Sequence, residues 1–362
     1  MKNTFGNSLS VTLFGESHGE MIGAVIDGIA PGIMVDEAYI AHRLTLRRPA
    51  GKISTARAES DPFRIVSGLF EGKTTGTPLT ILIPNENTKS KDYSATRPLA
   101  RPGHADYTAY CKYHGYEDYR GGGHFSGRIT AALVAAGAIV QAALEAKGIQ
   151  IATHIQALGG VNDRTFADFP SDITSLNSKT FAVLDETVAP AMIEVAENAA
   201  SQGDSIGGIL ETAVIGMPKG VGEPWFDSIE STLSHALFSI PAIKGVEFGC
   251  GFAFANMKGS EANDPFVLEN ESIVTKTNHN GGINGGITNG MPILFRTVIK
   301  PTPSIFQEQN TVNFLENTET TLHIKGRHDP AIVHRARAVQ DAVTALALAD
   351  ALVLRYGTDF LK

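Results

Sequence analysis

Residues 129–146 read ITAALVAAGAIVQAALEA. The stretch is apolar nearly all round, which predicts a helix buried on every side, closed by Lys147 and Gly148. Such a helix has to be covered by other elements, so it should be a central buried helix of the fold. Upstream, Ser8 to Phe14 and Met21 to Ile29 read as strands, and Pro31-Gly32 turns the chain. Asp36 predicts an N-cap for a helix over Glu37 to Arg47, which Pro49 stops. Phe63 to Phe70 and Thr77 to Ile83 read as a strand pair. From Pro84 to Tyr119 the chain is polar and without periodicity, so a long functional loop is expected, carrying Tyr93, His104 and Tyr107 among others. Downstream, Val188 to Ala199 and Asp227 to Leu237 read as helices, Ile209 to Ile215 as a strand and Ala331 to Leu354 as the last long helix. Gly23 to Gly28 with its Pro-Gly turn and helix is loosely echoed by Gly208 to Ala213, Pro218-Lys219-Gly220 and a helix, either as two related β-α units or by chance. The expected organisation is a single domain over residues 1–362 with an internal echo.

The chain has 362 residues, enough for a sizeable core. Its net charge of −8 argues against general nucleic-acid binding, so an anion site must be a local basic cluster. The two cysteines, Cys111 and Cys250, suggest neither a disulfide framework nor a thiolate metal site. The N-terminus shows no apolar signal core, and no apolar run is read as reaching the ~20 residues that span a bilayer. The expectation is a soluble cytoplasmic protein without membrane or nucleic-acid partners.

Three segments put a histidine among glycines and small residues: Gly15-Glu16-Ser17-His18-Gly19, Arg101-Pro102-Gly103-His104-Ala105-Asp106 and Gly121-Gly122-Gly123-His124-Phe125-Ser126-Gly127-Arg128. Glycine lets the backbone approach a ligand closely, and histidine exchanges a proton near neutral pH. The third segment runs into the buried helix, where Ser126 and Arg128 either hold an anion at the helix N-terminus or simply cap and turn the chain. Arg43 and Arg47 share a helix face, and with Arg48 and Lys52 they concentrate positive charge in an acidic chain. Asp329 before Pro330 has two readings: an N-cap, or a carboxylate kept ionised by Arg327, His328, His334 and Arg335. Asn280 to Ile287, with Lys300-Pro301-Thr302-Pro303-Ser304, is a second candidate phosphate cradle. No histidine–carboxylate set has metal spacing.

These segments, with Phe70 to Pro78, Asp92-Tyr93-Ser94, Asp118 to Gly123, Gly281 to Gly290 and Gly326-Arg327-His328-Asp329-Pro330, closely resemble the chorismate synthases over about Gly6 to Leu354. The resemblance implies an α+β fold, a β-α-β sandwich, and a homotetramer. It implies a carbon–oxygen lyase that converts 5-enolpyruvylshikimate 3-phosphate to chorismate and phosphate by anti-1,4 elimination. That reaction uses reduced FMN without net redox change, with electrons from an external flavin reductase. A bifunctional form that reduces FMN with NADPH is the alternative.

Residue by residue, the resemblance makes His18 the acid for the departing phosphate and His104 the proton donor beside the reduced flavin. It makes Asp329 the carboxylate that works with flavin N5 on the substrate C6 proton, and it places Ser17 and Ser126 nearby. Arg47, Arg48, Lys52, Arg128 and Arg335 match substrate-binding positions. His124, Phe125, Ser126, Pro241, Ala242, Gly285, Lys300, Pro301, Thr302, Pro303, Ser304 and Arg327 match flavin-binding positions. His124-Phe125, Pro241, Pro303, Asp341 and Lys52 depart from the family's usual residues, which bears on flavin contacts and leaves His18, His104 and Asp329 intact.

Overall fold

The computed structural model describes residues 2–49, 51, 53–54, 60–86, 96–324 and 329–362. The first half runs β1 (Thr4–Phe5), β2 (Ser10–Gly15), β3 (Met21–Asp27), α1 (Glu37–Arg47) and β4 (Arg64–Ser67). It continues through a small hairpin, β5 (Leu69–Phe70) and β6 (Lys73–Thr74), to β7 (Leu79–Pro84), α2 (Asp106–Tyr113) and α3 (Thr130–Ala146). The second half runs β8 (Gln150–Leu158), β9 (Val161–Asn162), α4 (Phe169–Asn177), α5 (Ala189–Ser201), β10 (Gly208–Ile215), α6 (Ile229–Leu237), β11 (Ile243–Phe248) and α7 (Gly259–Ala262). Then come the hairpins β12 (Phe266–Glu269) with β13 (Ser272–Thr275) and β14 (Ile283–Asn284) with β15 (Ile287–Thr288). Strand β16 (Ile293–Ile299), the hairpin β17 (Gln309–Asn313) with β18 (Thr318–Leu322), and α8 (Val333–Tyr356) complete the chain.

Two five-stranded antiparallel sheets, ordered β1-β2-β3-β7-β4 and β11-β16-β10-β8-β9, form the outer layers. Between them α3 packs on α8, with α3 also touching β3 and β7 and α8 touching β8 and β10. This is the α+β sandwich with a buried helical layer. Alanine and glycine make the close helix pair possible: a Cβ on Gly137 would lie 2.4 Å from Ala342 Cβ. Residues 131–141 of α3 are all buried, as its all-round apolarity predicts. Four strands of each sheet lie in one spatial order, β2-β3-β7-β4 in the first and β8-β10-β16-β11 in the second, and each set is followed along the chain by a long central helix.

Several boundaries differ from expectation. The segment from Pro84 to Tyr119 contains a helix, α2, whose only buried residue is Ala109, so it carries no apolar stripe to read. Helix α6 begins at Ile229 behind the N-cap Ser228, not at Asp227. The last helix begins at Val333 with Ile332 in the cap position, so Asp329 is not its N-cap. The stretch Gly127–Ala146 is long and apolar enough to cross a membrane, contrary to the sequence reading, but it is mostly buried in the core. Lys52, Tyr93, Arg327 and His328 lie outside the described residues.

Candidate active site

The three histidine segments meet at one turn. Residues 121–123 have φ of 58°, 81° and 52°, a run of left-handed backbone that favours glycine at each position. A Cβ on Gly121 would lie 2.1 Å from His18 Cε1, and one on Gly122 would lie 3.2 Å from His104 Cε1. Successive glycines therefore carry His18 and His104. The turn is tied to the end of β2: Ser17 N donates to Gly123 O at 3.1 Å, and His124 Nδ1 donates to Gly15 O at 2.8 Å. Ser17 Oγ lies 3.2 Å from His18 Nδ1, both side chains buried. Asn85 closes the far side, donating to Glu16 O and Gly19 O at 2.9 Å each.

His104 sits beside a bidentate ion pair, Arg101 Nε and Nη2 donating to Asp106 at 2.6 and 2.7 Å. Its Nδ1 is 3.0 Å from Arg101 Nη2 and 3.2 Å from Asp106 Oδ1. Either tautomer commits Nδ1 to this pair and turns the Nε2 edge towards Gly122. Burial pushes the Asp106 carboxyl up, but the hydrogen bonds from Arg101 and His104 outweigh it and hold the group well below the usual carboxylate range. The Lys300 to Ser304 segment adjoins this loop. Lys300 Nζ donates to Gly103 O, and a Cβ on Gly103 would lie 3.3 Å from Pro303 Cβ. Lys300 N donates to Ala242 O at 3.0 Å, with Ala242 at φ 75°, so Pro241-Ala242 belongs to the same neighbourhood. Thr302 Oγ1 is buried without a hydrogen-bond partner among the described residues. Ser304 is buried too.

The arginines gather around an acid that sequence reasoning missed, Asp61. Arg128 donates to Asp61 Oδ1, and also to Asn85 Oδ1 at 3.0 Å and Pro84 O at 3.1 Å. Arg47 Nη1 and Arg48 Nε lie 3.8 and 3.7 Å from Asp61 Oδ2. Burial pushes the Asp61 carboxyl up, but Arg47 and Arg128 outweigh it and lower it overall. Arg335 joins the cluster from α8, its Nε donating to Arg47 O at 2.9 Å and its Nη1 to Asp329 Oδ2 at 2.5 Å. Nothing in the spacing of Asp61 marks it. Asn85 carries only a positional hint, at the end of the predicted Thr77 to Ile83 strand.

Other expected members fall elsewhere. Arg43 does not join the anion cluster; it is buried and paired with Asp341. Ser126 Oγ accepts from Arg128 N at 3.3 Å, so it does cap the turn leading into α3. His334 adds no charge beside Asp329: burial, then Arg335, pushes it down to about 4, and its Nε2 meets Ser54 Oγ at 2.7 Å. The Gly-rich stretch near 285 forms the β14–β15 hairpin, with Gly285 and Gly286 at φ 61° and 87° as its two-residue turn. Gly285 faces open space there. Phe125 is 38% exposed, edge-on to Tyr113.

The chorismate synthase family model matches residues 9–353. A chorismate synthase of Pyrococcus abyssi (strain GE5 / Orsay) is 47% identical over 350 residues, 97% of each chain. One of Dehalococcoides mccartyi (strain BAV1) is 44% identical over 361 residues, 99% of this chain and 98% of its own. A chorismate synthase crystal structure superposes with a TM-score of 0.77 at 28% identity, covering 98% of this chain and 94% of that one.

Proposed function

Because the chain belongs to the chorismate synthase family of lyases, we propose that this cluster converts 5-enolpyruvylshikimate 3-phosphate to chorismate and phosphate with bound reduced FMN. The observation that carries the reading is the Gly121 to Gly123 turn, which brings two acid–base histidines together. In the elimination, the C6–H bond and the C3–O bond to phosphate break and a conjugated diene forms, with no net oxidation. His18 donates its proton to the departing phosphate oxygen, and Ser17 at 3.2 Å orients the ring. Arg47, Arg48, Arg128 and Arg335 hold the phosphate and carboxylates, a task suited to planar guanidinium forks. Lys52 is carried over to the same task. Asp329 takes the C6 proton, held in place by its ion pair with Arg335.

The residues present fit the flavin. A buried, unpartnered Thr302 Oγ1, the Lys300 ammonium and buried Ser304 offer donors for a phosphate tail beside the His104 loop. Pro241, Ala242, Pro301, Pro303 and the exposed Phe125 ring supply apolar surface; His124, Ser126, Gly285 and Arg327 are carried over as further contacts. When bound, reduced FMN supplies electron density to the reacting centre. His104 holds a proton on the flavin side, positioned by Arg101 and Asp106. The same reading makes the chain a single domain built by internal duplication, assembled as a homotetramer in the cytoplasm and served by a separate flavin reductase. The repeated spatial order of strands supports the duplication, and exposed Trp225, Phe226 and Phe252 support the assembly.

Anaerobic assay with chemically reduced FMN tests the reading. Equal amounts of chorismate and phosphate should appear, with the flavin still reduced at the end. Equal rates with oxidised FMN alone would overturn it. NADPH consumption without a separate reductase would assign the bifunctional form instead.

A further inference from the structure

We infer that Asp61 is a resident anion in the arginine cluster, holding the place of an anionic group of the substrate and leaving it when substrate binds. The inference rests on the reading of Arg47 and Arg128 as substrate ligands. Three guanidiniums converge on this one carboxylate, whose side chain has no solvent exposure. A permanent counter-ion at such a burial satisfies both oxygens. Asp61 does not: Oδ1 accepts from Arg128, while Oδ2 is buried without a hydrogen-bond partner among the described residues, 3.8 and 3.7 Å from two arginines. Its backbone is held at φ 47°, left-handed for a residue with a Cβ.

Arg47 and Arg128 do not depend on Asp61 for their aim. Arg128 keeps Asn85 Oδ1 and Pro84 O, Arg47 keeps Thr130 Oγ1 at 3.2 Å and Arg128 O at 3.4 Å, and Arg335 keeps Arg47 O. Asp61 itself lies outside any strand or helix, just before β4. Removing its carboxylate takes one negative charge out of the cluster while Arg47 and Arg128 stay on that frame. A phosphate, with more charge and more acceptor atoms, satisfies them better than one carboxylate. A singly charged ion gains little over the resident group, so Asp61 makes the cluster selective for multiply charged ligands.

Calorimetric titration of 5-enolpyruvylshikimate 3-phosphate into the full chain, with oxidised FMN present, tests this. Asp61→Asn keeps the shape and removes the competitor. If the cluster is filled about nine-tenths of the time, the dissociation constant should fall roughly tenfold, since apparent affinity scales with the open fraction. Inorganic phosphate, titrated alone, should show the same direction. Arg128→Gln serves as reference. If it weakens binding while Asp61→Asn leaves binding unchanged or weaker, the substrate site stands and the resident-anion role is overturned. If Arg128→Gln has no effect, the site reading itself fails and takes the inference with it. Should Asp61→Asn not fold, Asp61→Ser replaces it; failure of both would make the carboxylate a permanent part of the fold and overturn the inference.

Discussion

Gly121 leaves no room for a side chain: the ring of His18 stands where its Cβ would be, at 2.1 Å. Gly121→Ala should therefore displace His18 and cut kcat, while positive φ alone adds about 1–2 kcal/mol of strain. Gly122→Ala meets His104 less closely, at 3.2 Å, and should lose less activity. Gly148→Ala is the control, with φ 77° and open space around it; it should lose stability and keep kcat. Thermal melts with kcat on the three variants check the order. The glycine–histidine pattern was legible because it is local: positive φ and a nearby imidazole both write themselves into a short segment. Asp61 and Asn85 were not, because what matters about them is where β4 and β7 deliver them, next to Arg128 and the His18 turn. Arg43 misled for the same reason, since helical spacing with Arg47 says nothing of Asp341 across the interface.

Among the elements, α1 was fully legible because Asp36 caps it through two backbone N–H groups and Pro49 follows its end. Helix α3 was legible because every face is buried. Its partner contact was not, and it sets a second prediction. Alanine at position 137 gains up to about 1 kcal/mol in helix propensity. The overlap with Ala342 at 2.4 Å costs more, since overpacking a core typically costs about 1–3 kcal/mol. Gly137→Ala should be net destabilising in urea titration with kcat near normal. At the start of α8, Asp329 is not the N-cap residue and pairs with Arg335. Asp329→Asn should lose most of kcat, at least ~10²-fold. Its stability should fall by no more than about 1 kcal/mol, the usual range for a partly exposed pair. A normal kcat with a lowered melting temperature would make Asp329 structural.

Across the whole molecule, four strands of each sheet repeat one spatial order about the α3–α8 pair, while α4 and α5, between β8 and β10, have no counterpart between β2 and β3. The faint echo between Gly23 to Gly28 and Gly208 to Ala213 falls on β3 and β10, which hold the same position in their sheets. The halves differ in chemistry. The second sheet buries His154 between Asp163 at 2.9 Å and Glu211 at 3.0 Å, away from the histidine turn. Burial opposes its charge, but the bonds from Asp163 and Glu211 outweigh it and raise the imidazole above its ordinary value. A raised folded value means the contribution is complete below the unfolded value of about 6.5 and is lost as pH climbs through the folded value. Urea titrations from about pH 6 upward should show wild type losing stability relative to His154→Gln. Parallel curves would mean that His154 stays neutral.

The central claim is that one glycine turn presents His18 and His104 as a working acid–base pair. It is tested most directly by kcat of His18→Ala, His104→Ala and the double variant under anaerobic, saturating substrate and reduced FMN. Each single change should cost ~10²–10⁴-fold with far-UV spectra and melting temperature near wild type. Retention of near-normal kcat by either single variant would contradict the account.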